Sequence, residues 1–131
     1  MSSKVLNHLH NVIIVFNSHK SHDKKCRAAA FTLDKHAITA DIGTAKLGSM
    51  EWLKISQYLD VPVEELLNKQ HPDFLAYYGN SEIELDDSSA LKILSKNPDI
   101  LKYPIGIYNK KALFLRSKNE IYRLEEFMEE G

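Results

Sequence analysis

Val12-Ile13-Ile14-Val15-Phe16-Asn17-Ser18-His19-Lys20-Ser21-His22-Asp23 is the stretch on which the fold turns. A continuous apolar run rich in β-branched residues, 12–16, predicts a strand covered on both faces, hence central in its sheet. The polar residues 17–21 predict a turn. Ser21 or His22 then opens a helix, with Asp23 in the first turn, where the macrodipole favours a negative charge. Cys26, Ala29, Ala30 and Leu33 recur at helical spacing and make one apolar stripe. A second strand is expected over 37–42, so the segment has the order and length of a βαβ unit with a right-handed crossover. The residues ahead of it are read as running into the first strand, with His8 and His10 alternating at its entrance.

Outward from this unit, the middle of the chain reads as helical. Ser49 caps a helix carrying Trp52, Ile55 and Leu59 on one face. Pro62 opens another, with Leu66 and Leu67 behind it, and Pro72 opens a third that ends at Gly79. Asp86 or Asp87 caps a fourth, whose face is Leu91 and Leu94 and which Pro98 stops. These helices form a compact insert over about 45–100. Beyond it, 104–108 and 112–115 flank Asn109-Lys110-Lys111 as a β-hairpin. Ser117 and Glu120 match a capping box before a helix with Ile121, Leu124 and Phe127 as its stripe. Glu125, Glu126, Glu129 and Glu130 then end that helix against its macrodipole, so this end is expected to fray.

The chain has 131 residues and a formal charge of −1, which suits one domain (1–131) and excludes a strong non-specific field for nucleic acid. No apolar run reaches the roughly 20 residues that cross a bilayer. The N-terminal apolar run lacks a small-residue cleavage site and is read as part of a mature protein. Cys26 is the only cysteine, so the chain cannot form an internal disulfide, and a reducing, cytoplasmic location follows. Its place on the apolar stripe predicts a buried thiol with a raised pKa, the opposite of what a nucleophile needs.

Three features together carry a resemblance: the strand ending in Asn17 before a polar loop, the segment Asn97-Pro98-Asp99-Ile100-Leu101-Lys102-Tyr103-Pro104-Ile105, and the twelve positions from Pro104 to Arg116. They resemble the arsenate reductase family, which includes the Spx-type transcriptional regulators. The resemblance implies an α/β, thioredoxin-like fold: β-α-β, helical insert, β-hairpin and C-terminal helix, on a mixed sheet of about four strands. It also implies a cis proline at 104 and a thiol nucleophile at the first helix's N-terminus. This chain departs from that pattern. The nucleophile position is Lys20, the second cysteine of the dithiol branch is Asp23, the arginine before the proline is Tyr103, and an upstream arginine is Asn68, beside Lys69. Arg116 matches.

What the resemblance implies for function is a divergent arsenate reductase-like protein without the reductase activity, acting as a binding or regulatory module. A protein such as RNA polymerase is then the expected partner. The alternative is a glutathione-dependent oxidoreductase or transferase in which glutathione supplies the thiol and no other cofactor is needed. In either case Lys20, Ser21, Tyr103, Pro104 and Arg116 are the candidate groove for an anion or a thiol peptide, since a helix start favours anions and the backbone beside the proline pairs with extended peptides. The plain reading is that Lys20 is a solvated loop residue and Arg116 ends a strand.

Other chemistry has less support. His19 and His22, with Asp23 and His71, could start a metal site only through a particular fold, and solvated histidines are the simpler reading. Ser18 and Ser21 lie near histidines but in no nucleophile elbow, and no nucleotide-binding signature occurs.

Overall fold

Ile13–Phe16 forms the central strand β1 because its side chains serve both faces of the sheet. In the computed structural model, which describes residues 5–130, Ile13 and Val15 join the cluster under the helical insert, whereas Val12, Ile14 and Phe16 join the cluster on the opposite face. This alternation follows from the two-residue period of a strand. Burying such side chains contributes about 1.5–3 kcal/mol each.

The helix α1 (Ser21–Leu33) follows, and the strand β2 (Ile38–Asp41) pairs parallel with β1, giving the expected β-α-β unit. The hairpin strands β3 (Ile105–Tyr108) and β4 (Lys111–Phe114) complete a mixed sheet in the order β2-β1-β3-β4. Asn109 and Lys110 both take positive φ, 49° and 66°, so the turn has two residues and Lys111 belongs to the strand. Such a turn matches the twist of a hairpin.

The insert packs on one face through α2 (Ser49–Leu59), α3 (Pro72–Tyr78) and α4 (Asp87–Lys96). The other face is covered by α1, a 3-10 segment (Lys118–Arg123) and α5 (Leu124–Glu130). Gly106 makes that covering close: a Cβ there would lie 2.9 Å from Leu124 Cδ1 and 3.2 Å from Ile121 Cδ1.

Several local expectations change. The residues before β1 form a 3-10 turn (Val5–Asn7), with His8 and His10 exposed, and β1 starts at Ile13; Met1–Lys4 lie outside the described residues. Gly48 caps α2 in place of Ser49, because the Glu51 carboxylate accepts the Gly48 N–H at 3.2 Å. The segment after Pro62 is a 3-10 turn (Val63–Leu66), stopped where Leu67 turns extended and bridges to Leu101. Ser117 makes no side-chain cap. Glu120 instead accepts the Arg116 N–H at 3.3 Å, so the last helix begins as a 3-10 segment. Glu125 and Glu126 therefore fall in the first turn of α5, and the Glu130 side chain lies outside the description.

Candidate functional site

Strand direction gathers four loops at one end of the sheet. Residues 17–20 leave β1, 42–48 leave β2, 97–104 enter β3 and 115–117 leave β4. In open α/β sheets the crevices used by ligands form beyond the carboxyl ends of parallel strands.

Asn17 organises this end. It is buried, its N–H donates to Asp23 Oδ2 at 2.9 Å, and its Nδ2 donates to Asp99 Oδ1 at 2.7 Å. Its Oδ1 accepts the His19 N–H at 2.9 Å and its carbonyl accepts the Lys20 N–H at 3.0 Å. Gly43 is the close neighbour that permits this, since a Cβ there would sit 2.6 Å from Asn17 Oδ1. Asp41 holds the adjoining loop by accepting the N–H groups of Ser18 and Gly43, each at 2.9 Å. Burial opposes the charge on Asp41, but hydrogen bonds from Ser18, Gly43 and Thr44 hold its pKa below the usual value. Asp23 goes the other way: burial raises its pKa against the Asn17 hydrogen bond and the charges of Lys20 and His22. Asp23 is thus a buried acceptor for the loop as well as a first-turn acid of α1.

Lys20 stands immediately before α1. Its ammonium donates to the carbonyl of Asp99 at 2.9 Å and to that of Leu101 at 3.4 Å. A positive charge is therefore seated on the turn that leads to Pro104. Ser21 is the exposed first residue of α1. Arg116 lies over the Tyr103 ring, with its guanidinium carbon 5.7 Å from the ring centroid, and Tyr103 meets Phe114 edge-on at 6.1 Å. Pro104 is buried, and its carbonyl accepts the Leu115 N–H at 2.8 Å. The five residues thus share one end of the sheet as two sub-groups: Lys20 and Ser21 on the 99–101 turn, Tyr103, Pro104 and Arg116 at the hairpin base.

The bond before Pro104 is trans, in contrast to the implied cis proline. Trans is the form the peptide itself prefers, by about 0.5–1 kcal/mol. The backbone just upstream is paired within the chain: Asn68 N–H donates to Ile100 O at 2.7 Å and Lys102 N–H to Leu66 O at 2.8 Å. The Asn68 backbone is thus bonded to the same 99–101 turn that Lys20 holds, whereas Lys69 points elsewhere. The Lys69 ammonium turns into the insert, 3.0 Å from Glu64 and 2.9 Å from Ile83 O.

Cys26 is fully buried on the α1 stripe. Burial pushes its thiol up to about 11, with the carboxylates of Asp23 and Glu120 adding to the effect. His22 Nε2 approaches Sγ at 3.7 Å but also lies 3.0 Å from the Leu115 carbonyl, which can only accept. That imidazole nitrogen therefore carries a proton and is no base for the thiol. His19 Nε2 meets Gly43 O at 2.9 Å, and His71 Nδ1 accepts the Asp73 N–H at 3.1 Å. The four candidate metal ligands thus have separate occupations, and no group of three His, Cys, Asp or Glu side chains suited to a metal occurs among the described residues.

Comparison with known proteins matches this architecture. No protein-family model matches the chain. Its sequence is 28% identical over 102 residues to the global transcriptional regulator Spx of Streptococcus mutans, covering 73% of this chain and 72% of that protein. An arsenate reductase from Vibrio cholerae superimposes with a TM-score of 0.73 at 16% identity, over 86% of this chain and 96% of its own. A protein assigned as an arsenate reductase from Yersinia pestis gives 0.74 at 16% identity, over 86% and 99%. The chain is thus similar to arsenate reductases in fold and to Spx in sequence. Its thioredoxin-like sheet and insert are those of the structural neighbours, and its one cysteine sits away from the helix start.

Sequence reasoning missed the role of Asn17 and Asp99, which become partners only across 82 residues. It also missed a cleft in the insert, between α3 and α4. The adjacent Tyr77 and Tyr78 before Gly79 were its one visible signal.

Proposed function

We propose that this chain is a regulatory binding module on an arsenate reductase-like scaffold, without thiol-based arsenate reduction of its own. The observation that carries the reading is Lys20. At the position where the resemblance places the nucleophile, its ammonium is held by the carbonyls of Asp99 and Leu101. The one thiol in the chain is buried and has a pKa near 11, so almost none of it is thiolate at neutral pH. A protein of the transcription machinery, RNA polymerase, is the partner that likeness to a transcriptional regulator suggests. A lone reduced cysteine suits the reducing cytoplasm.

The test is arsenite production from arsenate with glutathione and glutaredoxin, beside titration against purified RNA polymerase. The expected result is no arsenite above background and saturable polymerase binding. Arsenite formation lost in Cys26→Ser would overturn the reading by making Cys26 a nucleophile. Arsenite formation that survives Cys26→Ser but needs glutathione would replace it with the glutathione-dependent enzyme. That enzyme would require Lys20 to leave its two carbonyls.

A further inference from the structure

The cleft between α3 and α4 has a volume of about 240 Å³. That exceeds the roughly 150 Å³ of an engineered apolar cavity that takes up benzene. Its floor is apolar: Phe74 and Ile100 are buried, and Tyr78 and Ile93 are half-buried against the core. Phe74 and Tyr78 pack with ring centroids 5.0 Å apart. Tyr77 forms a lip, 76% exposed, with its ring 5.3 Å from that of Tyr78. Tyr77 and the apolar floor beside it form one contiguous apolar patch, a form that marks ligand-binding grooves.

The rim carries more positive than negative charge. Lys92 and Lys96, one helical turn apart on α4, both border the cleft. Among the described residues neither ammonium has a hydrogen-bond or ion-pair partner within 4 Å. Asp73 also borders the cleft, but one carboxylate oxygen accepts from Asn97 Nδ2 at 2.8 Å. Two cations without an ion pair thus border the cleft beside one carboxylate that is already hydrogen-bonded, and the charge of Lys92 is also felt by Asp86. Lys96 lies in the last turn of α4, where the macrodipole favours it, and Lys92 interacts electrostatically with Asp86 at the N-cap of the same helix.

We propose that this cleft binds a small aromatic carboxylate, its ring on the Phe74–Tyr78 floor under Tyr77 and its carboxylate toward Lys92 and Lys96. An apolar pocket with a few convergent polar groups is the usual form of a small-molecule site. The ring supplies buried area and stacking, and the lysines distinguish the acid from a neutral analogue. The cleft shares Ile100 with the turn that Lys20 holds, but its aromatic floor and its lysines belong to α3 and α4, so the proposal does not depend on the regulatory reading above.

The experiment is an amide-resolved NMR titration of the full chain with indole-3-acetate and 4-hydroxyphenylacetate, each beside its neutral amide. The expected result is saturable shifts confined to 73–78 and 92–100, with the acid bound about fivefold tighter than the amide. Lys92→Gln with Lys96→Gln, both exposed positions, should bring that ratio to about one while the amide still binds. Tyr77→Ala should weaken acid and amide alike. No saturable shift with either acid would overturn the proposal. So would equal binding of acid and amide to the unaltered chain, discrimination that survives the double substitution, or shifts centred on Lys20 and Arg116.

Discussion

The end of the sheet and the α3–α4 cleft divide the polar chemistry of this protein in opposite ways. At the sheet end the polar groups satisfy one another. Asn17, Asp23, Asp41, Asp99 and the Lys20 ammonium are all tied to loop backbone or to each other. In the cleft, an apolar floor lies open and two lysines border it without an ion pair among the described residues. A hydrogen bond already made inside the chain must be given up before a ligand can use the same group, so a closed network stabilises the fold at the expense of binding. The difference teaches that side chains committed to holding loops together and side chains left open to solvent can lie in separate regions of one molecule.

The comparison can be broken most directly at Asn17. Asn17→Ala removes the side-chain bonds to Asp99 and His19 from a buried site and should cost about 2–3 kcal/mol in urea unfolding. A neutral result would mean that the loops hold without their hub. The thiol gives the next effect. The folded pKa of about 11 lies above the ordinary 9.0, so between those values the unfolded chain releases a proton that the folded chain keeps. The contribution of Cys26 is therefore complete below pH 9 and is lost as pH rises toward 11. Relative to Cys26→Ala, the unaltered protein should lose on the order of 2 kcal/mol over that interval. Parallel pH curves would show that the thiol is solvated. The same burial predicts that iodoacetamide modifies native Cys26 at least about tenfold more slowly than the unfolded chain.

Lys20→Met sharpens the contrast further. It strands two carbonyls near the surface and should cost about 1 kcal/mol, with amide shifts at 99–101. If it instead leaves stability unchanged and abolishes binding of a partner, the sheet end is a working site. Smallest of all, Tyr77→Ala should change stability by less than about 0.5 kcal/mol, because the ring is mostly in solvent. A larger loss would make Tyr77 part of the core and not a lip.

Much of the fold was legible because local patterns and packing agree. The apolar run 12–16, the stripe through Cys26 and Ala30, and the Pro104-led hairpin each became the element they predicted. Where expectation failed, a contact decided between near-equal local options. Glu51 moved the α2 cap to Gly48, and Glu120 used its carboxylate on Arg116 N–H in place of a capping box. At the site, the grouping of Tyr103 with Arg116 followed from the resemblance, while the grip of Lys20 on Asp99 and Leu101 did not.

By itself the sequence determined a mixed α/β scaffold, a single cysteine on an apolar helical face and a lysine at the start of that helix. Periodicity and residue chemistry are sufficient for these, because they are properties of neighbours along the chain. The tertiary structure alone decided which polar groups close on one another and which stay open. Asn17 meets Asp99, and Lys20 meets Leu101, only because three-dimensional packing brings β1 against the segment before β3. Lys92 and Lys96 form no ion pair because the same packing places no acidic side chain within 4 Å of either ammonium among the described residues, Asp86 interacting with Lys92 only at longer range.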